Sequence, residues 1–268
     1  RSGAVGVNVS ILGGGVTDAS ASASNSATGI AGGAGRDAVS NEGRVAVTAD
    51  AHGSATSFTF GGLVGVAVAK AGTTADTLAL GIDGGSDADW LDNSGTVAVR
   101  ALSDLKAGAI SITGVGVATA DAKATARATG IGMSGADGSD VVFNSGAVDV
   151  QTASKLDVSS KSFQLIGYAS AEIAETTAAA ELTGLSGGAG NDVLLNTGRI
   201  SLALADNQPM AAALGNSASW NLIGVTHAEV VLAAQVAATG MAGGAGDDMI
   251  LNLGTNIVGG PLSGVAMA

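Results

Sequence analysis

The stretch Gly29–Asp37, with the sequence GIAGGAGRD, is the first of five copies of one motif in this 268-residue chain. In every copy an asparagine follows the aspartate by four residues, and a glycine follows that asparagine by two. The final glycines, at positions 43, 95, 146, 198 and 254, are 52, 51, 52 and 56 residues apart. A motif that returns at a near-constant spacing indicates a repeat architecture, in which each unit packs mainly against its neighbours.

A second landmark, a glycine between two apolar residues, recurs between the motifs. It reads VGV at 5–7, 64–66 and 115–117, IGY at 166–168 and IGV at 223–225. Because it falls near the middle of the repeat, we expect two similar rungs of about 26 residues per repeat rather than one wide rung, with rungs ~4.8 Å apart. This alignment places inserts near Ile11–Asp18 and near Asn207–Ala211, both expected to form surface bulges.

The segments between the landmarks have the pattern of strands. Val45-Ala46-Val47 and its equivalents follow the motif glycine, and runs such as Ala19–Ser24 alternate with period two. Glycine clusters predict turns, and the 2 prolines leave long strands unobstructed. An antiparallel sandwich of tandem domains is the alternative, but a 52-residue unit is small for one, and Asn-Gly hairpin turns are absent from the sequence.

We therefore predict an all-β fold, a parallel β-solenoid (β-helix), in which stacking of the repeats supplies the core. Residues 1–268 are expected to form a single solenoid segment. Its predicted repeats are 1–43, 44–95, 96–146, 147–198 and 199–254, with a partial repeat at 255–268.

The motif resembles the nonapeptide of RTX calcium-binding proteins, Gly-Gly-x-Gly-x-Asp-x-(large apolar)-x. Gly187–Leu195 and Gly243–Leu251 match it, and Gly32–Ser40 matches at the glycines and Asp37. Two copies depart from it, with Asp87 in place of the third glycine and Ala136 in place of the second. The downstream Asn-x-Gly-x-(Val/Ile) is similar to the rung signature of adhesin-type β-helix proteins of bacterial surfaces.

This resemblance implies a Ca²⁺ site at the motif aspartates, because RTX nonapeptides share Ca²⁺ between neighbouring turns. The candidate ligands are Asp37, Asp89, Asp140, Asp192 and Asp248. RTX nonapeptides run in tandem, whereas this chain has one per repeat, so a structural alternative stays open: each carboxylate caps its own turn as an Asx-turn. The asparagines after them are expected to form a stacked structural ladder. They are Asn41, Asn93, Asn144, Asn196 and Asn252.

Composition restricts the function. The net charge of −12 disfavours nucleic acid as a partner, because phosphates are bound by Lys and Arg. No run of about 18 uncharged apolar residues is present, so we predict no transmembrane segment. The absence of cysteine together with the repeat fits a secreted protein or one at the bacterial cell surface. The chain starts at Arg1 and stops inside a repeat, which we interpret as a segment of a longer protein.

We predict no catalytic residues and no enzymatic activity. The glycine-rich motif lacks the Lys and Ser or Thr of a P-loop, and Ser186 spells a Gly-x-Ser-x-Gly elbow only because it falls inside the repeat motif. His227 near Glu229 is interpreted as a satisfied surface histidine. Trp90 and Trp220 could stack on sugars, but burial or packing between inserts is the favoured interpretation. A basic concentration that could touch an acidic glycan is interpreted as a solvated face; it comprises Arg100, Lys106, Lys123, Arg127, Lys155 and Lys161.

The function expected from these observations is that of a structural or adhesive rod in a large secreted or cell-surface bacterial protein. Its expected partners are further repeats or copies of itself end to end, and cell-surface glycans are a further candidate. Two alternatives stay open: an RTX-like module that folds when it binds calcium, and a β-helix that binds or processes polysaccharide.

Overall fold

The computed structural model of the protein describes residues 1–204, 210–258 and 264–267. These residues form strands joined by short turns, which confirms the all-β prediction. Within those ranges no helix is long and apolar enough to cross a membrane. The strands are β1 (Ser2–Val9), β2 (Leu12–Ala34), β3 (Ala38–Asn41), β4 (Arg44–Phe60), β5 (Val64–Ser86), β6 (Trp90–Asn93), β7 (Thr96–Asp137), β8 (Val141–Asn144), β9 (Ala147–Ala189), β10 (Val193–Asn196), β11 (Arg199–Leu204), β12 (Ala211–Ala245), β13 (Met249–Asn252), β14 (Thr255–Val258) and β15 (Gly264–Met267).

Each repeat pairs with the next in parallel register along its length. Val45 lies beside Val97, and Val97 lies beside Val148, so that equivalent residues of successive repeats form columns. The short strands β3, β6, β8, β10 and β13 pair in the same order. The chain is therefore a parallel β-solenoid, as predicted, with five stacked rungs and the start of a sixth. The expectation of two rungs per repeat is wrong, because the pairing offset is a whole repeat.

The two halves of a repeat are the two sides of one elongated rung. In the third rung, β7 runs out to Ile112, reverses and returns to Asp137, so that its halves face each other across the core. The Ser103 hydroxyl donates to the Arg127 carbonyl oxygen across this core at 2.7 Å. We call these sides the first and second long faces, and the short strands form the short face. The glycine landmark is the tip of the rung, and the GGxGxD motif is its base.

The core between the long faces is narrow because its side chains are small. Along β7 the inward positions hold alanines such as Ala101, Ala107 and Ala126, all buried, with polar neighbours between them on the outer side. Larger side chains, among them Met133 and Val142, fill the wider space at the base, where the short face closes the rung. Sheets can approach closely only where side chains are small, so the alanine content sets the thickness of the rod.

The predicted insert at Ile11–Asp18 is wrong, and so is the alignment that required it. Gly13, not Gly6, pairs with Gly65 of the next rung, and β2 continues in register from Leu12. Gly6 lies inside β1 and pairs with Ser57. The first rung therefore has no bulge there. The VGV pattern gave the wrong alignment because β1 also contains a glycine between two valines, Val5-Gly6-Val7.

The predicted insert near Asn207–Ala211 lies mostly outside the described residues, which omit 205–209. The pairing on either side of this gap changes its offset. Leu204 pairs with Thr152, an offset of 52, whereas Ala211 pairs with Ser154, an offset of 57. Five additional residues therefore enter the fifth rung between Leu204 and Ala211.

The base turn places two non-glycine residues in a glycine conformation. Ala136 has a φ of 74°, and its equivalents in the neighbouring rungs, Gly85 and Gly188, have φ of 106° and 111°. Asp87, in place of the third motif glycine, also has a φ of 74°. An L-residue in this left-handed region costs roughly 1–2 kcal/mol, less for aspartate than for alanine. The departures from the motif are therefore sites of local strain.

Replacing Ala136 by glycine is expected to stabilise the fold. The Ala136→Gly variant should raise the free energy of unfolding by about 1 kcal/mol, the relieved strain minus the added entropy of the unfolded chain. Urea unfolding followed by circular dichroism measures the change. The matched control is Gly188→Ala in the next rung, which should destabilise, because its Cβ would collide with the Ala136 carbonyl oxygen. Equal free energies of unfolding for the wild type, Ala136→Gly and Gly188→Ala would contradict the presence of strain at Ala136.

Candidate functional site

The motif aspartates and asparagines meet at the base of the rod. The GGxGxD turn links the second long face to the short face, and its second and third glycine positions have positive φ in each rung, which reverses the chain. The four residues after the aspartate, which end at the asparagine, form one short strand. Period-two alternation directs both of these side chains to the inner side of that strand. Since each repeat is one rung, the five motifs stack directly and form two rows along the rod.

The asparagine row is a continuous chain of side-chain hydrogen bonds. In each step the Nδ2 group of one asparagine donates to the Oδ1 atom of the next, from Asn41 through to Asn252, at 2.7 Å in all four steps. The side chains of Asn93, Asn144 and Asn196 are fully buried. A buried amide whose shortest hydrogen bond is to an identical amide one rung away fixes the register of the stack, because a shift would break that bond for both groups.

The aspartate row joins rungs by a different contact. The Asp89 Oδ1 atom accepts a hydrogen bond from the backbone N–H of Asp37 at 2.8 Å, and the Asp140 Oδ1 atom accepts from the N–H of Asp89 at 2.7 Å. The same contact continues from Asp140 to Asp192 and from Asp192 to Asp248. Each carboxylate thus caps the turn of the preceding rung, whereas the Asx-turn alternative placed the cap within its own turn.

The second carboxylate oxygen of the row is buried and has no hydrogen-bond partner. This holds for the Oδ2 atoms of Asp37, Asp89, Asp140 and Asp192. In the second rung this oxygen lies against the first motif glycine: a Cβ on Gly84 would be 2.7 Å from the Asp89 Oδ2 atom. The first glycine of GGxGxD is therefore required to make room for the carboxylate.

Burial in this row changes the acidity of one member. The pKa of Asp140 is raised above its ordinary value, mainly because burial disfavours the charged form and also because the Asp89, Asp137 and Asp192 carboxylates repel it; the N–H of Asp89 opposes the rise. Asp83 sits beside the row, and burial and repulsion by Asp89 raise its pKa as well. We did not single out Asp83 from the sequence, although it replaces small residues such as Ala31 and Ser134 of the other copies.

The aspartate row offers few free ligand atoms for calcium in this arrangement. Ca²⁺ takes six to eight oxygen ligands, whereas the Oδ1 atom of every carboxylate except Asp37 accepts a backbone N–H, and the Oδ2 atoms face a glycine. In the part of the chain that the structure describes, no three His, Cys, Asp or Glu side chains are grouped to hold a metal ion. The calcium prediction therefore rests on the family resemblance alone.

The remaining candidate residues lie apart from one another. Ser186 is inside the second long face, beside Ser134 and Ala242, and neither histidine pairs with it. His227 is exposed and lies 3.4 Å from Glu229, measured between Nε2 and Oε2, which agrees with a surface histidine.

Most of the basic residues are exposed, and some lie beside acidic residues of neighbouring rungs. Lys70 lies between Asp18 and Asp121 of the adjacent rungs, and the Arg127 guanidinium is 2.6 Å from the Glu181 carboxylate. Opposite charges on neighbouring strands favour their pairing, so these side chains contribute to rung-to-rung attraction.

The two tryptophans are exposed and lie on different parts of the rod. Trp90 is on the short face in β6, and Trp220 is at the tip of the fifth rung in β12. The expectation that they are buried or packed between inserts is wrong, because both occupy outward-facing positions of their strands. Since they are on separate faces, they do not form one platform for a sugar.

No protein-family model, characterised protein or solved structure matches this chain significantly.

Removing one member of the asparagine row is expected to destabilise the rod. Asn144→Ala leaves the Asn196 side-chain oxygen buried without its donor and leaves the Asn93 amide with only a long contact of 3.5 Å to the Ala147 carbonyl oxygen. This should lower the free energy of unfolding by roughly 2–4 kcal/mol. The control is Asn25→Ala, because exposed Asn25 donates a single bond to the Asp50 carbonyl. Urea midpoints compare the three proteins. A loss no larger for Asn144→Ala than for Asn25→Ala would contradict the role of the row.

Neutralising Asp140 is expected to remove part of the pH dependence of stability. A raised pKa means that the folded state binds the proton more tightly than the unfolded state. Its contribution is therefore fully present below the unfolded pKa of about 3.9 and is lost as the pH rises through the folded value. Between pH 7 and pH 4 the wild-type protein should gain stability relative to Asp140→Asn. Urea midpoints across this range measure the difference.

The control for that experiment is Asp247→Asn, which removes one exposed negative charge next to the row. Its pH dependence should follow the wild type. Repeating the measurement with millimolar calcium or with EGTA tests the calcium prediction as well. A wild-type midpoint that rises with calcium, and does not rise in Asp140→Asn, would place a cation at the row in spite of the contacts described above.

Proposed function

We propose that this chain is a structural rod segment of a secreted or bacterial cell-surface protein, extended at its ends by further rungs of the same kind. The observation that carries the proposal is the open core at the last complete rung. Leu194 in β10 is 0% exposed, whereas its equivalent in the fifth rung, Ile250 in β13, is 48% exposed. The difference arises because, among the residues that the structure describes, no rung covers Ile250 at the end of this core column.

The end of the stack also offers its backbone for pairing. β13 is exposed at every residue, and so is β14, which begins the sixth rung. Soluble solenoids need terminal units with a polar outer face, since an uncovered edge is a template for another strand. An edge that is apolar in its core and unpaired in its backbone is stabilised by a further rung, either from the same chain or from a second copy.

The two rows at the base give the rod a direction. Each asparagine donates to the residue in the following rung, and each aspartate accepts from the preceding one. A rung placed after Asn252 would therefore accept a bond from its Nδ2 group, and a rung placed before Asn41 would donate to its Oδ1 atom. Extension is head to tail, because only that arrangement continues both rows.

A rod of this kind resists extension and bending through its continuous hydrogen-bond ladders, which suits a spacer or adhesive stalk. The absence of cysteine and the net charge of −12 are compatible with an exported protein that has no nucleic-acid partner. Glycan binding is the second candidate, and a depression of about 440 Å³ on the second long face favours it. That depression is lined by hydroxyl side chains such as Ser22 and Thr74 together with Lys123.

Charging the open core should block extension without unfolding the segment. In Ile250→Asp the new carboxylate is solvated in the free segment, but a further rung would bury it, and an unpaired buried charge costs several kcal/mol. The wild-type protein should form rods that lengthen with concentration, and Ile250→Asp should stay at the length of one segment. Sedimentation velocity and negative-stain electron microscopy measure rod length.

The matched control is the adjacent residue. Met249 faces outward from the short face, in the column of Trp90 and Val193, so Met249→Asp places the same charge where no rung would cover it. This variant should lengthen as the wild type does. Wild-type rods that stay at one segment length at every concentration would contradict extension by copies of the chain.

A further inference from the structure

The tip of the rod carries an uninterrupted apolar surface, which we call the tip strip. It consists of residues 9–14, 60–66, 112–117, 163–168 and 220–225, one segment from each rung, and none of these segments contains a charged residue or a histidine. The strip is exposed in the middle of the rod as well as at its ends. Leu63 in the second rung is 70% exposed, and Leu165 in the fourth is 58% exposed.

Two amide side chains of the tip, those of Gln164 and Asn221, bind the backbone on its inner side. The Gln164 Nε2 atom donates to the Ile166 carbonyl oxygen at 2.8 Å and also contacts the Gly116 carbonyl oxygen. In the next rung the Asn221 amide donates to the Gly167 carbonyl oxygen at 2.6 Å. Because these side chains bind the backbone of the turn, the outer surface of the tip is left to the apolar residues.

The size of the tip strip exceeds what an ordinary monomer exposes. Its large apolar side chains present on the order of 1,000 Å², whereas the largest apolar patch of a soluble monomer is about 300–600 Å². A stable protein interface needs roughly 800 Å² from each partner. The strip is therefore large enough for a stable pair without a contribution from any other face.

The shape of the strip fits a second strip. A groove of about 450 Å³ runs along it, lined by Phe60, Ile112, Phe163, Trp220 and the leucines beside them. The exposed residues Leu63 and Leu165, which we call the ridge, line this groove together with Gly114 of the third rung. The ridge of one strip can enter the groove of a second strip under a two-fold axis, and two rods of equal rung spacing stay matched over all rungs.

From these observations we propose that two copies of this chain associate laterally through their tip strips to form a double rod. This contact points sideways from the rod, whereas the head-to-tail extension proposed above adds rungs along the rod axis. A lipid surface is the competing occupant. The absence of Lys and Arg from the strip and the net charge of −12 disfavour it, because anionic membranes attract basic segments.

Two lysines on the ridge should separate the double rod. We expect wild-type particles of double width, with twice the mass per length of one rod, in both low and high salt, since apolar contacts are not screened. The double variant Leu63→Lys with Leu165→Lys should give single-width particles of unchanged length. Negative-stain microscopy measures width, and sedimentation equilibrium in the Ile250→Asp background measures mass where lengthening is blocked.

The matched control moves the same two charges to the short face. Trp90→Lys with Met249→Lys replaces two exposed apolar side chains outside the strip, and this variant should keep the double width. Circular dichroism checks that both double variants are folded. A loss of double width in both variants would overturn the proposal, and so would single-width, monomeric wild-type protein at the highest attainable concentration.

A cross-link tests the contact without weakening it. The chain has no cysteine, and Val115 at the tip of the third rung is the position expected to meet its own copy in either a parallel or an antiparallel pair. Val115→Cys should form a covalent dimer on mild oxidation, and Trp90→Cys should not. Wild-type protein that floats with neutral phosphatidylcholine vesicles and gives no Val115→Cys dimer would assign the strip to lipid and overturn the pairing.

Discussion

Every column of this structure follows from the hydrogen-bonding distance between parallel strands. Once each repeat is a single rung, equivalent residues lie ~4.8 Å from their copies above and below, and each side chain must be compatible with its own repetition. Alanine and valine satisfy this condition by packing and asparagine by donating to itself, and Lys70 satisfies it by lying beside Asp121 of the next rung. Large apolar side chains satisfy it at the wide base of the rung, or where the surface is open to solvent.

The aspartate row is the place where this constraint is most costly. Like charges stacked at rung spacing repel, and the raised pKa of Asp140 is one consequence. The row persists because each carboxylate binds a backbone N–H that the reversed turn leaves unpaired, and a hydrogen bond to a charged group is stronger than one between neutral groups. The base therefore tolerates electrostatic repulsion and an unpaired carboxylate oxygen so that the N–H groups of its turns are paired.

The sequence was sufficient for the architecture because periodicity reports stacking directly. The five spaced motifs predicted the solenoid, and the four-residue interval from aspartate to asparagine placed two rows on one strand. The number of rungs per repeat could not be read in the same way, since the tip and the base of one long rung give two landmarks, as two short rungs would. Only the pairing of Val45 with Val97 separates these arrangements. The unpaired Oδ2 atoms of the aspartates and the exposure of the tip could not be predicted from the sequence. Period-two alternation tells which residues of a strand face inward, but it gives no such information for residues in a turn.

The same repetition of residues from rung to rung has different consequences at the base and at the tip. At the base, the buried polar rows have one acceptable register, because a shift of a single residue would leave amides and carboxylates without their partners. A rung added at either end of the rod would therefore have to be correctly aligned. At the tip, apolar columns lie outside the core and contribute nothing to register, so they are available for contacts at right angles to the rod axis. Since the energy of a lateral contact grows with the number of rungs, head-to-tail extension would strengthen tip-to-tip pairing without any change in sequence. The two contacts are thus structurally independent and cooperative in assembly, which is the combination that a long fibre with a defined width requires.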